Sequence, residues 1–357
     1  MKIESPLSRV EETEKLIEAG ANELYCGVCP PDWKNKYAII GCTNRNEHSL
    51  GNLSNAHELK QVVDIAKSHN VPVFVTMNAL YTEKQHSHLM KLTNEILAVD
   101  IDALIITDLP YLLQLNKLDS GIKIHLSTGG TAFNSETIDF YKDLGVSRIV
   151  LPRQLTIEEI GDIAKRSKGI ELAAFVFYGI DANIDGFCTF HHGLREHNSI
   201  GDAPLAIRDN PILSKLVRYT PNIIAKNIKK TKLASNLPAC WLEYDVKVKT
   251  NNLDAKMIRD RISNSYSFNY MVQEACGICA LSEFKKFGIN SVKIVGRDNA
   301  THDKIKHVSF LHQALSLLDK NKSQNDFIKD SQELYRTTFK ADCKIPRCYY
   351  PHALIKN

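Results

Sequence analysis

The sequence predicts an α/β protein: a (β/α)8 TIM-like barrel with a long cysteine-bearing insertion between strands 7 and 8 and a C-terminal tail. Three observations carry that expectation. Eight short β-branched runs alternate with segments whose apolar residues recur at helical spacing. The runs are almost continuously apolar, as strands covered on both faces of a parallel sheet are. The chain has 357 residues, 43% of them hydrophobic and 24% charged, enough for a barrel of ~250 residues with roughly a hundred left for additions.

The expected strands are Lys2–Ser5, Glu23–Cys26, Val71–Met77, Ala103–Asp108, Lys123–Thr128, Arg148–Arg153, Glu171–Phe177 and Ser291–Gly296. Between them, helical spacing shows in Ala56, Leu59, Val62, Val63 and Ala66, in Leu89, Leu92, Ile96 and Leu97, and in Ile157, Ile160, Ile163 and Ala164. Asn55, Asn134 with Ser135, and Thr156 with Glu159 supply N-terminal caps. Gly20, Gly145 and Gly288 stand where helices must end before the next strand. A doubly wound open sheet is the competing arrangement, but no Gly-x-Gly-x-x-Gly follows a strand.

This reading divides the chain into a first barrel portion (1–177), an inserted segment (178–273), a last barrel portion (274–320) and a tail (321–357). Helical spacing ends near Lys320, and the polar stretch from Asn321 to Asp330 reads as a linker. The tail holds Phe339, Cys343, Cys348, Tyr349 and Tyr350, and is expected to fold back onto the body.

The formal charge of +4, from 45 basic against 41 acidic residues, is too small an excess on this length to announce nucleic-acid binding by itself. Residues 201–261 carry twelve Lys or Arg against six Asp or Glu, which suits either a solvated face or contact with phosphates. No apolar run reaches the ~18 residues of a membrane helix. The opening residues lack the basic-then-apolar order of a secretion signal, so a cytoplasmic protein without membrane contact is expected.

Nine cysteines in a reducing compartment point to metal ligation or thiol chemistry rather than a disulfide scaffold. Cys26-Gly-Val-Cys29 and Cys276-Gly-Ile-Cys279 both have ligand spacing, with a glycine that permits a tight turn. Cys188 and Cys240 on the insertion could join Cys276 and Cys279 to give four thiolates, the number for a [4Fe–4S] cluster or a structural zinc. Cys26, Cys29, Cys42, Cys343 and Cys348 remain for a second site. Hydrolase signatures are absent: there is no Gly-x-Ser-x-Gly, His-Glu-x-x-His or P-loop.

Polar residues gather where the strands should end. His125, Asp108, Arg153 and Tyr178 are the candidates for proton transfer and catalysis, and Asn78, Ser127, Thr128, Arg45 and Arg297 for holding substrate, the arginines suiting a carboxylate. His125, set among apolar neighbours, also reads as a satisfied core histidine.

The sequence resembles the collagenase-like peptidase family U32 through Glu12 to Gly27, Asn44-Arg45, Asn52-Leu53-Ser54, Val73 to Leu80, Ala103 to Leu109, His125-Leu-Ser-Thr128, Val150-Leu-Pro-Arg153, Gly186-Phe-Cys188 and Gly288 to Arg297. The resemblance covers about residues 1–300. It implies an oxygen-independent, iron–sulfur-dependent redox enzyme that hydroxylates RNA or a small molecule, with peptide hydrolysis, or a non-enzymatic role as an electron-transfer or accessory partner, as the alternatives. Carried across residue by residue, it assigns Cys188, Cys240 and Cys276 as ligands of one [4Fe–4S] cluster, with a second cluster, or zinc instead, left open. The family's first cluster cysteine falls on Asp181, and its usual histidine on Tyr178; Cys279 or Cys42 could replace the missing thiolate.

Overall fold

The computed structural model describes residues 1–37, 42–45, 51–179, 185–186, 275–320, 323–343 and 348–351. Eight parallel strands close into one barrel in sequence order: β1 (Lys2–Pro6), β2 (Glu23–Gly27), β3 (Val73–Met77), β4 (Ala103–Ile106), β5 (Lys123–Leu126), β6 (Val146–Val150), β7 (Glu171–Phe177) and β8 (Ser291–Ile294). The closing pair is β1 with β8, in the register Ile3 to Val292. All eight expected strands are present, and the barrel outranks the open sheet. The strand expected from Arg148 instead starts at Val146, directly after the left-handed Gly145.

Helices cover the outside: α1 (Thr13–Glu18), α2 (Pro31–Lys36), α3 (Ala56–Ser68), α4 (Glu83–Leu97), α5 (Leu109–Lys117), α6 (Ser135–Asp143), α7 (Ile157–Arg166), α8 (Leu281–Phe287), α9 (Thr301–Lys320) and α10 (Gln324–Phe339). Their starts follow local chemistry. The Asn55 and Asn134 side chains accept the backbone N–H of Glu58 and Thr137, each at 2.9 Å. Thr156 and Glu159 form the reciprocal capping box. Each cap satisfies an N–H that the first helical turn leaves unpaired, worth about 1 kcal/mol.

Two apolar layers result. The main one lies between sheet and helices, where residues such as Leu59, Val62, Leu89, Ile96, Ile160 and Phe310 are buried. A small second cluster of Tyr25, Phe74, Ala103 and Ile105 fills the barrel itself. Strand alternation sends Tyr25 inward and its neighbour Cys26 outward into the main layer.

One expectation is corrected. The stretch from Asn321 to Asp330, read as a linker, contains the start of α10, capped by Ser323 accepting the Asp326 N–H at 3.1 Å. Phe327, Ile328, Ser331 and Tyr335 form its buried stripe, and Tyr335 and Phe339 pack against Phe310 of α9. High polarity hid that stripe, because only one side of the helix is covered. Beyond it, Tyr349 and Tyr350 are buried against the end of β7. No helix among the described residues is long and apolar enough to cross a membrane.

Candidate active site at the barrel mouth

Below the mouth, the barrel interior carries charge. Arg148 of β6 donates to both Glu23 carboxylate oxygens, at 2.7 and 2.8 Å, and its Nε donates to Glu171 at 2.7 Å. Burial pushes the Glu23 carboxyl up, but hydrogen bonds and charge from Arg148 outweigh it, leaving the group below the ordinary carboxylate range. Lys293 of β8 pairs with Glu4 and sits 3.3 Å from the Tyr25 ring centre. Burial brings the Lys293 ammonium down to about 8, despite Glu4. Each buried cation of this floor thus faces a carboxylate, which offsets the cost of taking charges out of water.

At the strand ends the chemistry changes. Arg297, three residues beyond β8 and buried, donates to Thr76 Oγ1 at 2.7 Å, Asn52 Oδ1 at 3.3 Å and Asn44 Oδ1 at 2.7 Å. Asn44 in turn donates to Asn52 at 2.7 Å. All three partners are neutral, and among the described residues no carboxylate pairs with Arg297. A charge held this way keeps its field and favours an anion brought to it. Gly27 makes the arrangement possible: a Cβ there would lie 2.0 Å from the Arg297 guanidinium and 2.2 Å from Asn52 Oδ1.

Next to this lies a second polar group. Asn78 donates to Ser127 Oγ at 2.9 Å and accepts the Arg45 N–H at 3.2 Å, so Asn78, Ser127 and Arg45 are brought together. Arg45 is exposed, whereas Ser127 and Thr128 are buried. Arg153 lies 4.5 Å over the Phe175 ring and 3.4 Å from Asp185 Oδ1, while its backbone N–H donates to Asp185 Oδ2 at 2.8 Å.

The proton-transfer candidates stand differently. Asp108 caps α5, accepting the Tyr111 N–H at 2.8 Å on one oxygen and the Tyr81 N–H at 3.2 Å on the other. His125 is 2% exposed, its ring edge-on to Phe74 with centroids 4.7 Å apart. Burial, then the charges of Arg148 and Lys293, hold its pKa well below 6.5, so it is a neutral imidazole at pH 7. Tyr178 adopts a left-handed backbone at φ +61°, stacks on His307 and donates its N–H to the Ala275 carbonyl at 2.8 Å. For an aromatic residue that conformation is strained.

The cysteines divide. Cys26, Cys29 and Cys42 are buried around β2 and its loop, and burial pushes the Cys26 thiol up to about 12. Cys276 and Cys279 lie where the chain returns beside β7, three strands away around the barrel. The backbone of Cys348 in the tail pairs in parallel with that of Cys276, and no disulfide joins the two. Burial pushes both Cys276 and Cys279 up, as do neighbouring thiols, Cys343 among them. Cys343 and Cys348, grouped from sequence with the β2 cysteines, therefore side with Cys276. Cys188, Cys240, Asp181 and the basic segment 201–261 lie outside the described residues. Among the described residues, no three of His, Cys, Asp or Glu already stand in a metal-binding arrangement.

Sequence reasoning missed the floor charges Glu4, Glu23, Arg148 and Lys293 and the mouth residues Thr76 and Asp185. A signal existed for the floor, since each of the four is a charge set within a strand of an otherwise covered sheet. Thr76 and Asp185 gave none, being ordinary residues whose partners come from distant segments.

A model of peptidase family U32 matches residues 8–202 and 230–352. A tRNA hydroxylation protein P from Haemophilus influenzae is 26% identical over 184 residues, covering 52% of this chain and 37% of that protein. A tRNA hydroxylation protein P1 from Bacillus subtilis is 22% identical over 261 residues, covering 65% and 58%. A 23S rRNA 5-hydroxycytidine synthase from Escherichia coli is 26% identical over 143 residues, covering 40% and 21%. The chain thus spans less than two thirds of the length of each of these relatives. A solved U32 peptidase structure covers 49% of the chain at 17% identity, with a TM-score of 0.38.

Proposed function

Because this chain belongs to peptidase family U32, with relatives named for tRNA and rRNA hydroxylation, we propose that it is an enzyme that hydroxylates an RNA base at the barrel mouth. The observation that carries the reading is Arg297, a buried guanidinium whose partners among the described residues are all neutral, at the face where barrel enzymes bind their substrates. An anionic group, either an RNA phosphate or the carboxylate of an organic oxygen donor, is the natural complement to that charge. Asn78, Ser127, Thr128 and Arg45 line the same rim and would orient the base, with Arg153 held in place by Asp185 and Phe175. Asp108 positions the α5 loop, and His125 stays neutral beneath the site.

Replacing a base C–H by C–OH is a two-electron oxidation. A [4Fe–4S] cluster, when bound, would exchange electrons with the reacting centre. Thiolates would hold it, and Cys276 and Cys279 fit: they are buried, three residues apart, and separated by a turn at Gly277. Peptide hydrolysis is less well served. Cys26, Cys276, Cys279 and Cys343 all have thiols pushed up, the reverse of an activated nucleophile.

The test is nucleoside mass spectrometry on tRNA and rRNA from cells lacking the protein and from the same cells supplied with it. The expected result is a nucleoside heavier by one oxygen that disappears with the protein and returns with it. Identical profiles in both strains would rule the reading out.

A further inference from the structure

We propose that Cys276, Cys279, Cys343 and Cys348 form one four-thiolate metal site that clamps the C-terminal tail to the end of β7. It goes beyond the functional reading, with which it shares only a metal at Cys276 and Cys279.

The backbone brings the four residues to one place. Cys276 pairs antiparallel with Phe177, and Gly277 donates its N–H to the Val176 carbonyl at 2.7 Å, so the returning chain is fixed to the last turns of β7. On its other side Cys276 pairs with Cys348, and the Tyr349 N–H donates to the Cys276 carbonyl at 2.9 Å. Paired residues in adjoining strands stand ~5 Å apart, within reach of a shared metal ion. Cys279 follows in the 3-10 turn Ile278–Ala280, against which α10 packs. That helix ends at Phe339, four residues before Cys343, and the Phe339 ring stacks on Phe177 at 5.3 Å.

The tail is held there by directed contacts. Tyr349 Oη donates to the carbonyls of Tyr178 and Gly179, at 2.5 and 2.9 Å, and Tyr350 Oη donates to that of Phe175 at 2.7 Å. Gly277 lets the two tyrosines close in: a Cβ would meet Tyr350 at 2.9 Å and Tyr349 at 3.0 Å. Cys276, Cys279 and Cys348 are buried, and Cys343 partly so.

Two pairs of cysteines, each pair close in sequence, are the usual donor set for tetrahedral zinc and for a [4Fe–4S] cluster. The shared chemistry is thiolate ligation of a soft metal: four thiols lose four protons, which pass to solvent, as four metal–sulfur bonds form. Binding would draw the thiols inward.

The test compares iron, acid-labile sulfide and zinc in the full chain, purified without oxygen, with two variants: Cys343→Ser/Cys348→Ser and Cys188→Ser/Cys240→Ser. The tail variant should lose about four irons with their sulfides, or about one zinc, per chain, and the insertion variant should keep them. Iron with sulfide identifies the cluster, and zinc without sulfide the structural ion. A tail variant with the full metal content, or a wild-type chain with neither metal, overturns the site. Native alkylation gives a reading independent of whether the variant folds. Cys343, only partly buried, should resist iodoacetamide until a chelator is added; immediate reaction in the metal-loaded protein contradicts the proposal. Metal lost from the tail variant of a protein that modifies no RNA still supports the site and removes only the RNA reading.

Discussion

Arg148 and Arg297 are both buried guanidiniums inside one barrel, yet they are set up for opposite ends. Arg148, in the floor, is neutralised by Glu23 and Glu171 and holds strands β2, β6 and β7 together. Arg297, at the mouth, is held by Asn44, Asn52 and Thr76, which fix its position and leave its charge. A buried cation with its own carboxylate serves the fold. One held by neutral dipoles is positioned without being neutralised, which is what a site for an incoming anion needs.

The comparison can be broken first at the floor. Arg148→Met takes from buried Glu23 its two guanidinium hydrogen bonds, leaving only the exposed Lys2 ammonium and the Ser291 hydroxyl as partners, and should cost about 3 kcal/mol of stability by urea denaturation. A loss under about 1 kcal/mol would mean that the pair is not a structural tie. At the mouth, Arg297→Gln should leave the urea midpoint near wild type and weaken binding of a short RNA by about tenfold or more. That corresponds to the ~1.5–3 kcal/mol of hydrogen bonds to a charged group. Equal affinity would show that the arginine is only a brace.

Gly27→Ala sharpens the contrast, since the added methyl displaces Arg297 without removing its charge. It should reduce RNA affinity and cost about 1–3 kcal/mol, as overpacking does. The smallest effect concerns pH. The folded chain keeps His125 neutral, whereas the unfolded chain protonates it below about 6.5, so the unfolded state binds more protons there and stability falls with acid. His125→Gln should flatten that decline between pH 6.5 and 5, read from urea midpoints. An unchanged slope would show that His125 takes up a proton in the folded state.

The fold was legible because its signals are local. Eight apolar runs, three capping asparagines and threonines, and glycines at the helix ends all act within a few residues. Asp108 misled for the same reason: a carboxylate at a strand end reads equally as an acid or as a helix cap, and only the Tyr111 and Tyr81 N–H groups decide. The two Cys-x2-Cys motifs show the limit most plainly. From Cys26 to Cys29 the chain runs on from β2, pairing at Val28 with Leu53, and both cysteines are buried in the apolar layer outside the barrel. From Cys276 to Cys279 the chain turns. The spacing is identical and the geometry is not, because that depends on which segment lies alongside. The mouth was legible as a set of polar residues, but not the neutral partners of Arg297, which come from β3 and from the loop after β2.

The most direct test of the central claim is to supply cells lacking the protein with Arg297→Gln at matched protein level and measure oxygen-added nucleosides in their RNA. The account predicts that the modification stays absent although the variant is folded and abundant. Full restoration of the modified nucleoside would contradict it.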